Sequence, residues 1–284
     1  VLGPHNGRVQ RSERVASQRW HDGESVDRPD DVVVEEPLTI HVEHRGHRQV
    51  LGSTMRTPGD DLELAVGLAV AEGVVRERTD VAGVMPCNGE GRARDGDVLV
   101  LLADDVVREL PDLGRVGSPT SACGICGRDA LDALAAARGT SISRTAPTRN
   151  VLAGLPDAMT HHQRVFRRTG GLHAAALADA DGTILVVRED VGRHNAVDKV
   201  IGHALLEGLE PAALVVSGRA GFEIVQKAAM AGIPALVSVS ATTSLAVQAA
   251  RESGLVLACF AREGRLTVYS SGEPAQTSPE AASW

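Results

Sequence analysis

The chain has 284 residues, 43% of them apolar, which is enough for one large or two medium domains with a sizeable core. A formal net charge of −8 with no block of Lys or Arg argues against nucleic acid as a partner, so any anionic ligand must be small and held locally. No apolar run approaches the ~20 residues of a spanning helix, no apolar stretch near the N-terminus suggests a secretory signal, and four cysteines fit a reducing cytoplasm; a cytoplasmic protein without membrane contact is expected.

Residues 1–30, rich in Arg, Asp, Ser, Gly and His without apolar periodicity, predict a flexible tail, and 272–284 predict another. Between them the pattern divides into an N-terminal α+β lobe over 31–145 and a C-terminal α/β lobe over 146–271, with a Ser-, Thr- and Pro-rich connection at 138–150. The first lobe offers strands at 38–42 and 98–102 and one clear helix. Asp60 is placed to cap that helix, Glu63 to close a capping box, Leu62, Ala65, Val66, Ala69 and Val70 to form its buried stripe, and Gly73 to end it.

Next comes Ser121-Ala122-Cys123-Gly124-Ile125-Cys126-Gly127-Arg128, two of the four cysteines on a glycine-rich stretch, with a short helix expected after them. Four explanations suit such a pair. A structural zinc knuckle needs two further ligands, and no second CxxC or zinc-spaced His pair is present. A thioredoxin-like redox centre fits the helix that follows but lacks the usual aromatic and proline shielding. A persulfide carrier needs close approach by another protein's active site, which Gly124 and Gly127 permit. The fourth is a pair of buried small apolar side chains, which suits the glycine- and hydroxyl-rich flanks poorly.

The second lobe alternates: strand 184–187, a helix from about 196, strand 214–217, helix 222–231, strand 235–239, helix 245–252, then strands 255–260 and 266–269. That order predicts a mainly parallel sheet between helices, with the final pair of strands open to antiparallel pairing and ligands at the carboxyl ends of the strands. Those ends are polar. Arg193 and His194 stand at a helix start that Asn195 is expected to cap, Ser217-Gly218-Arg219 follows the next strand, and Ser240 to Ser244 the third; together they suggest a pocket for a ligand carrying phosphate. The chain has only two lysines, Lys199 and Lys227, and Lys227 is expected to add a cation there. His173 follows Gly170-Gly171 in a run that echoes the His-x-Glu element of zinc deaminases, but Ala175 stands where their Glu would be, so deamination is disfavoured and no metal ligand is assigned.

Taken together, these segments resemble the formate dehydrogenase accessory sulfurtransferases. The carriers are Thr57-Pro58-Gly59-Asp60-Asp61-Leu62-Glu63, the Cys123–Cys126 stretch, Thr169-Gly170-Gly171-Leu172-His173-Ala174-Ala175, Arg188-Glu189-Asp190-Val191-Gly192-Arg193-His194-Asn195 through Lys199, the two strand ends, and Phe260-Ala261-Arg262. The resemblance implies a cytidine-deaminase-like layered α/β fold and a homodimer. It implies that Cys123, with Cys126 assisting, takes persulfide sulfur from a cysteine desulfurase and passes it to molybdenum bis-molybdopterin guanine dinucleotide for formate dehydrogenase. It also implies cofactor contact by Phe260, Ala261, Arg262, Glu263, Gly264 and Arg265. His173, Arg193, His194, Ser217, Gly218, Arg219 and Lys227 are the further candidates. Ala122 departs from the family, many members of which have Ser there. A cofactor escort that does not transfer sulfur, and a zinc-binding relative of the deaminases, are the alternative functions.

Overall fold

A computed structural model describes residues 9–88, 95–106 and 144–272. Cys123, Cys126 and the short helix expected after them lie outside the described residues, as does most of the predicted C-terminal tail.

Where the sequence predicts a tail, residues 12–33 form a ribbon. Strand β1 (Ser12–Val15) pairs antiparallel with β4 (Asp30–Val33), and β2 (Gln18–His21) with β3 (Glu24–Asp27). Asp22 (φ 49) and Gly23 (φ 89) make the turn between β2 and β3, the doubly positive φ of a type I′ hairpin. The ribbon is held to the body by Arg168, which donates to both Asp31 oxygens at 3.0 and 3.1 Å.

The first lobe is a four-stranded sheet in the order β6-β5-β8-β7, made of β5 (Glu36–His44), β6 (His47–Arg56), β7 (Val81–Asn88) and β8 (Asp95–Leu102). Helix α1 (Asp61–Ala71) packs on it. Asp60 precedes α1 in a left-handed conformation without a side-chain cap, and Glu63 turns away from the predicted capping box toward Arg188 at 2.6 and 2.7 Å. An ion pair with a second lobe outcompetes a local hydrogen bond in water.

The second lobe is built on six strands in the order β10-β9-β11-β12-β13-β14. They are β9 (His173–Ala178), β10 (Ile184–Asp190), β11 (Ala213–Val216), β12 (Ala235–Ser238), β13 (Val256–Arg262) and β14 (Arg265–Ser271). Only β11/β12 and β12/β13 pair in parallel, so the sheet is mixed and not mainly parallel. The cause is a hairpin. The alanine-rich β9 reverses through Asp179–Gly182, where Asp179 accepts from the backbone N–H groups of Asp181 and Thr183, and it enters the sheet antiparallel to both neighbours.

Helix α2 (Arg149–Thr160) covers one face of this sheet, and a short α3 (Arg164–Thr169) follows. Against the other face lie α4 (Arg193–Glu207), α5 (Phe222–Met230) and α6 (Ser244–Ser253). Helix α4 begins three residues before the predicted start, with Gly192 as its cap residue. Asn195 instead donates to Met55 O at 2.8 Å and Asp190 Oδ1 at 3.0 Å. Among the described residues no helix is long and apolar enough to cross a membrane.

Helices α1 and α4 form the seam between the lobes, and glycine makes their closeness possible. A Cβ on Gly67 would lie 1.8 Å from Asp198 O and one on Gly202 1.9 Å from Glu63 O, so the two backbones touch where neither residue has a side chain. Around this contact the buried charges are paired. Lys199, fully buried, reaches Asp190 at 2.7 Å and Thr57 O at 2.9 Å, while Lys227 holds both Asp198 oxygens at 2.7 and 2.9 Å. Burial pushes the Glu72 carboxyl up, against the pull of nearby Lys227.

Candidate functional site

Five chain segments bring their polar residues to one edge of the six-stranded sheet. Strands β10, β11, β12 and β13 end there, and the antiparallel β9 begins there, so His173 lies beside Asp190 on one side and the end of β11 on the other. Backbone turns stitch the row together. Ser217 Oγ accepts from Ala174 N at 2.9 Å, Ser238 Oγ donates to Gly218 O at 2.7 Å, and Phe260 N donates to Ser240 O at 3.0 Å. The predicted convergence of strand ends is present, although part of each hydroxyl's capacity goes into holding the turns. Thr243 is an ordinary cap, accepting from Ala246 N.

At one end of this row lie His173, Arg193, Ser217 and Gly218. A Cβ on Gly218 would sit 3.3 Å from His173 Nδ1 and 3.8 Å from Arg193 Cβ, so a side chain there would crowd the imidazole. Partial burial holds His173 below the ordinary histidine range, reinforced by the Arg193 and His194 charges, and the ring is neutral near pH 7. His194 is engaged by Glu223, 2.6 Å from its Nε2, and this hydrogen bond holds the Glu223 carboxyl down. Arg219 is exposed. Lys227, predicted as a ligand-facing cation, is buried and committed to Asp198 in the seam between the lobes.

At the other end a pocket of about 600 Å³ opens between the β13–β14 hairpin and the first turn of α2. The hairpin turns through Glu263 (φ 51) and Gly264 (φ 72), again type I′ geometry. Arg262 and Arg265 are paired directly across it and therefore share one face, and both line the pocket. One residue more on β13 than on β14 makes a bulge between Cys259 and Arg262, with Phe260 at φ 53. The bulge re-aims that ring outward, 45% exposed and against the pocket, and turns Ala261 into the core. Glu263 and Arg265 form an exposed ion pair at 2.5 Å. From the facing wall come Arg149 and Asn150, two pocket residues the sequence reading did not single out. The signal available for them was Thr148, whose hydroxyl accepts from Val151 N and fixes the helix start.

Cys87 and Cys259 are free thiols. Burial raises the Cys259 thiol to about 12 despite a hydrogen bond with Thr242, so it is a poor nucleophile.

The FdhD/NarQ family model matches residues 33–275. The chain belongs to the FdhD/NarQ family. Its similarity to individual members runs nearly end to end. It is 48% identical over 275 residues to the sulfur carrier protein FdhD of Streptomyces avermitilis, covering 93% of this chain and 95% of that one. It is 46% identical to FdhD of Corynebacterium efficiens, covering 86% and 90%, and 44% identical to FdhD of Mycobacterium tuberculosis, covering 87% and 92%. The fold is shared with a crystal structure described as a formate dehydrogenase accessory protein of Desulfotalea psychrophila, at a TM-score of 0.73 over 92% of this chain and 98% of that one, with 23% identity. The FdhD/NarQ match includes the cysteine pair, the strand-end row and every lining residue of the hairpin pocket, and leaves out the N-terminal ribbon up to Val32.

Proposed function

We propose that this chain is a sulfur carrier serving formate dehydrogenase, with Cys123 as the carrying thiol. The observation that carries the reading is the extent of likeness to proteins named for that role, 48% identity over 275 residues that include the CxxC pair. Cys123 as thiolate attacks the outer sulfur of a persulfide on a cysteine desulfurase. The donor's S–S bond breaks, the donor leaves as thiolate, and Cys123 becomes a persulfide. Attack by the Cys126 thiolate on the Cys123 sulfur then forms a Cys123–Cys126 disulfide and expels the outer sulfur as hydrosulfide. The sulfur is reduced, the two cysteines are oxidised, and a dithiol reductant resets them.

The acceptor in this reading is the molybdenum atom of molybdenum bis-molybdopterin guanine dinucleotide, a substrate of the carrier. Supporting it, the hairpin pocket offers what a nucleotide end needs: guanidinium groups for phosphates and an exposed ring for a base. The neutral His173 and Arg193 at the other end of the row are the polar groups we assign to the remaining, pterin-bearing part. The carrier works in the cytoplasm and as a homodimer.

Restoration of formate dehydrogenase activity in cells lacking their own carrier tests the reading. The wild-type chain restores activity, and Cys123→Ala does not. Full restoration by the double variant Cys123→Ala/Cys126→Ala would instead identify an escort that binds the cofactor without handling sulfur.

A further inference from the structure

The reading above gives the hairpin wall of the pocket a role and leaves the α2 wall without one. That wall holds Arg149 and Asn150, both exposed, and Arg149 has no ion-pair or side-chain hydrogen-bond partner among the described residues. The charges around the pocket are unevenly engaged. Arg265 is shared with Glu263 at 2.5 Å, whereas Arg262 on the hairpin and Arg149 on the helix have no such partner among the described residues. A guanidinium donates five N–H bonds in a planar fork and accepts none, so each fork can hold an anionic group of its own. Two forks on facing walls match two adjacent anionic groups, and one phosphate leaves a fork unused. The volume of about 600 Å³ lies inside the roughly 300–1,000 Å³ of small-molecule sites and leaves room for a base against Phe260.

We propose that Arg149 is a specificity-determining residue of this pocket: it grips one phosphate of a guanosine diphosphate group from the α2 side while Arg262 takes the other, so that the site selects a diphosphate over a monophosphate. The inference rests on the assignment of residues 260–265 to nucleotide contact. It adds a wall, a residue and a discrimination which that assignment does not contain. Arg149 also has a task that Arg265 does not duplicate, since Arg265 shares the face of Arg262 while Arg149 comes from the α2 wall.

Calorimetric titration of guanosine diphosphate and guanosine monophosphate into the full chain tests this, comparing wild type, Arg149→Ala and Arg149→Lys. The wild type binds the diphosphate more tightly. Arg149→Ala loses about tenfold or more in diphosphate affinity and stays within about twofold for the monophosphate, the loss expected of one charge-assisted contact. Arg149→Lys, which keeps the charge but not the fork, recovers part of the loss. Undiminished diphosphate binding by Arg149→Ala overturns the inference, and so does an equal loss for both nucleotides. A wild-type chain that binds neither nucleotide overturns the nucleotide assignment itself, a different result from the other two. Because Arg149 is exposed, thermal melting without nucleotide should be the same for all three proteins.

Discussion

The seam between the lobes and the hairpin pocket use the same charged groups in opposite ways. In the seam the buried and half-buried charges meet partners: Lys199 with Asp190, Lys227 with Asp198, and the half-buried Arg188 with Glu63. In the pocket Arg149 and Arg262 line one hollow from two different elements, with no ion-pair partner among the described residues. A buried charge without a counter-ion is too costly to keep, so the pairs in the seam are conditions of folding. An exposed guanidinium costs little, so the free arginines are available to a ligand. The scarcity of lysine points to Lys227 as a ligand cation, and the structure uses it, like Lys199, as a buried counter-ion.

The largest effect should come from breaking a seam pair. Lys199→Met strands the Asp190 carboxylate in the core and should cost about 3–5 kcal/mol in urea unfolding. A loss below about 1 kcal/mol would place Lys199 with the dispensable charges. Gly67→Ala comes next. Its methyl group would meet Asp198 O at 1.8 Å, and forcing α1 and α4 apart should cost about 1–3 kcal/mol, although alanine is by itself the better helix former. Arg262→Ala in the pocket should change unfolding free energy by no more than about 0.5 kcal/mol while weakening guanosine diphosphate binding. The contrast between the two regions fails if this variant destabilises as Lys199→Met does.

His173 supplies a pH test. Its folded value lies below the ordinary 6.5, so the stability of the neutral ring is fully present above about 6.5 and is lost as pH falls through the depressed value. The wild type should therefore lose melting temperature more steeply than His173→Gln between those limits, and parallel profiles would remove the histidine from the account. The smallest effect concerns Cys259. With its thiol near 12 it should stay unalkylated by iodoacetamide at pH 8 in the folded protein, as peptide mapping would show.

The sequence was most informative where a period or a motif imposed structure. The alternating strands and helices of the second lobe fall within a few residues of their expected places, because each has a long apolar stripe and a clear boundary. The β9–β10 hairpin was missed because Ala174 to Ala178 carries an alanine-rich sequence that suits a helix as well as a strand, and only packing between β10 and β11 decides it. The ribbon at 12–33 reads as a tail in sequence because its strands are almost wholly exposed, yet Asp22-Gly23 is a legible I′ turn signal. At the pocket, the stretch 260–265 was named by resemblance, while the bulge that exposes Phe260 and buries Ala261 depends on register with β14 and has no local signature. Arg149 has no local signature either, since only the tertiary fold brings α2 to the hairpin.

The central claim is that Cys123 carries sulfur, and intact-mass measurement after incubation with a cysteine desulfurase and cysteine tests it most directly. The account predicts one added sulfur atom on the wild type, removed by a thiol reductant and absent from Cys123→Ala. No adduct on the wild type, or an undiminished adduct on Cys123→Ala, would contradict it.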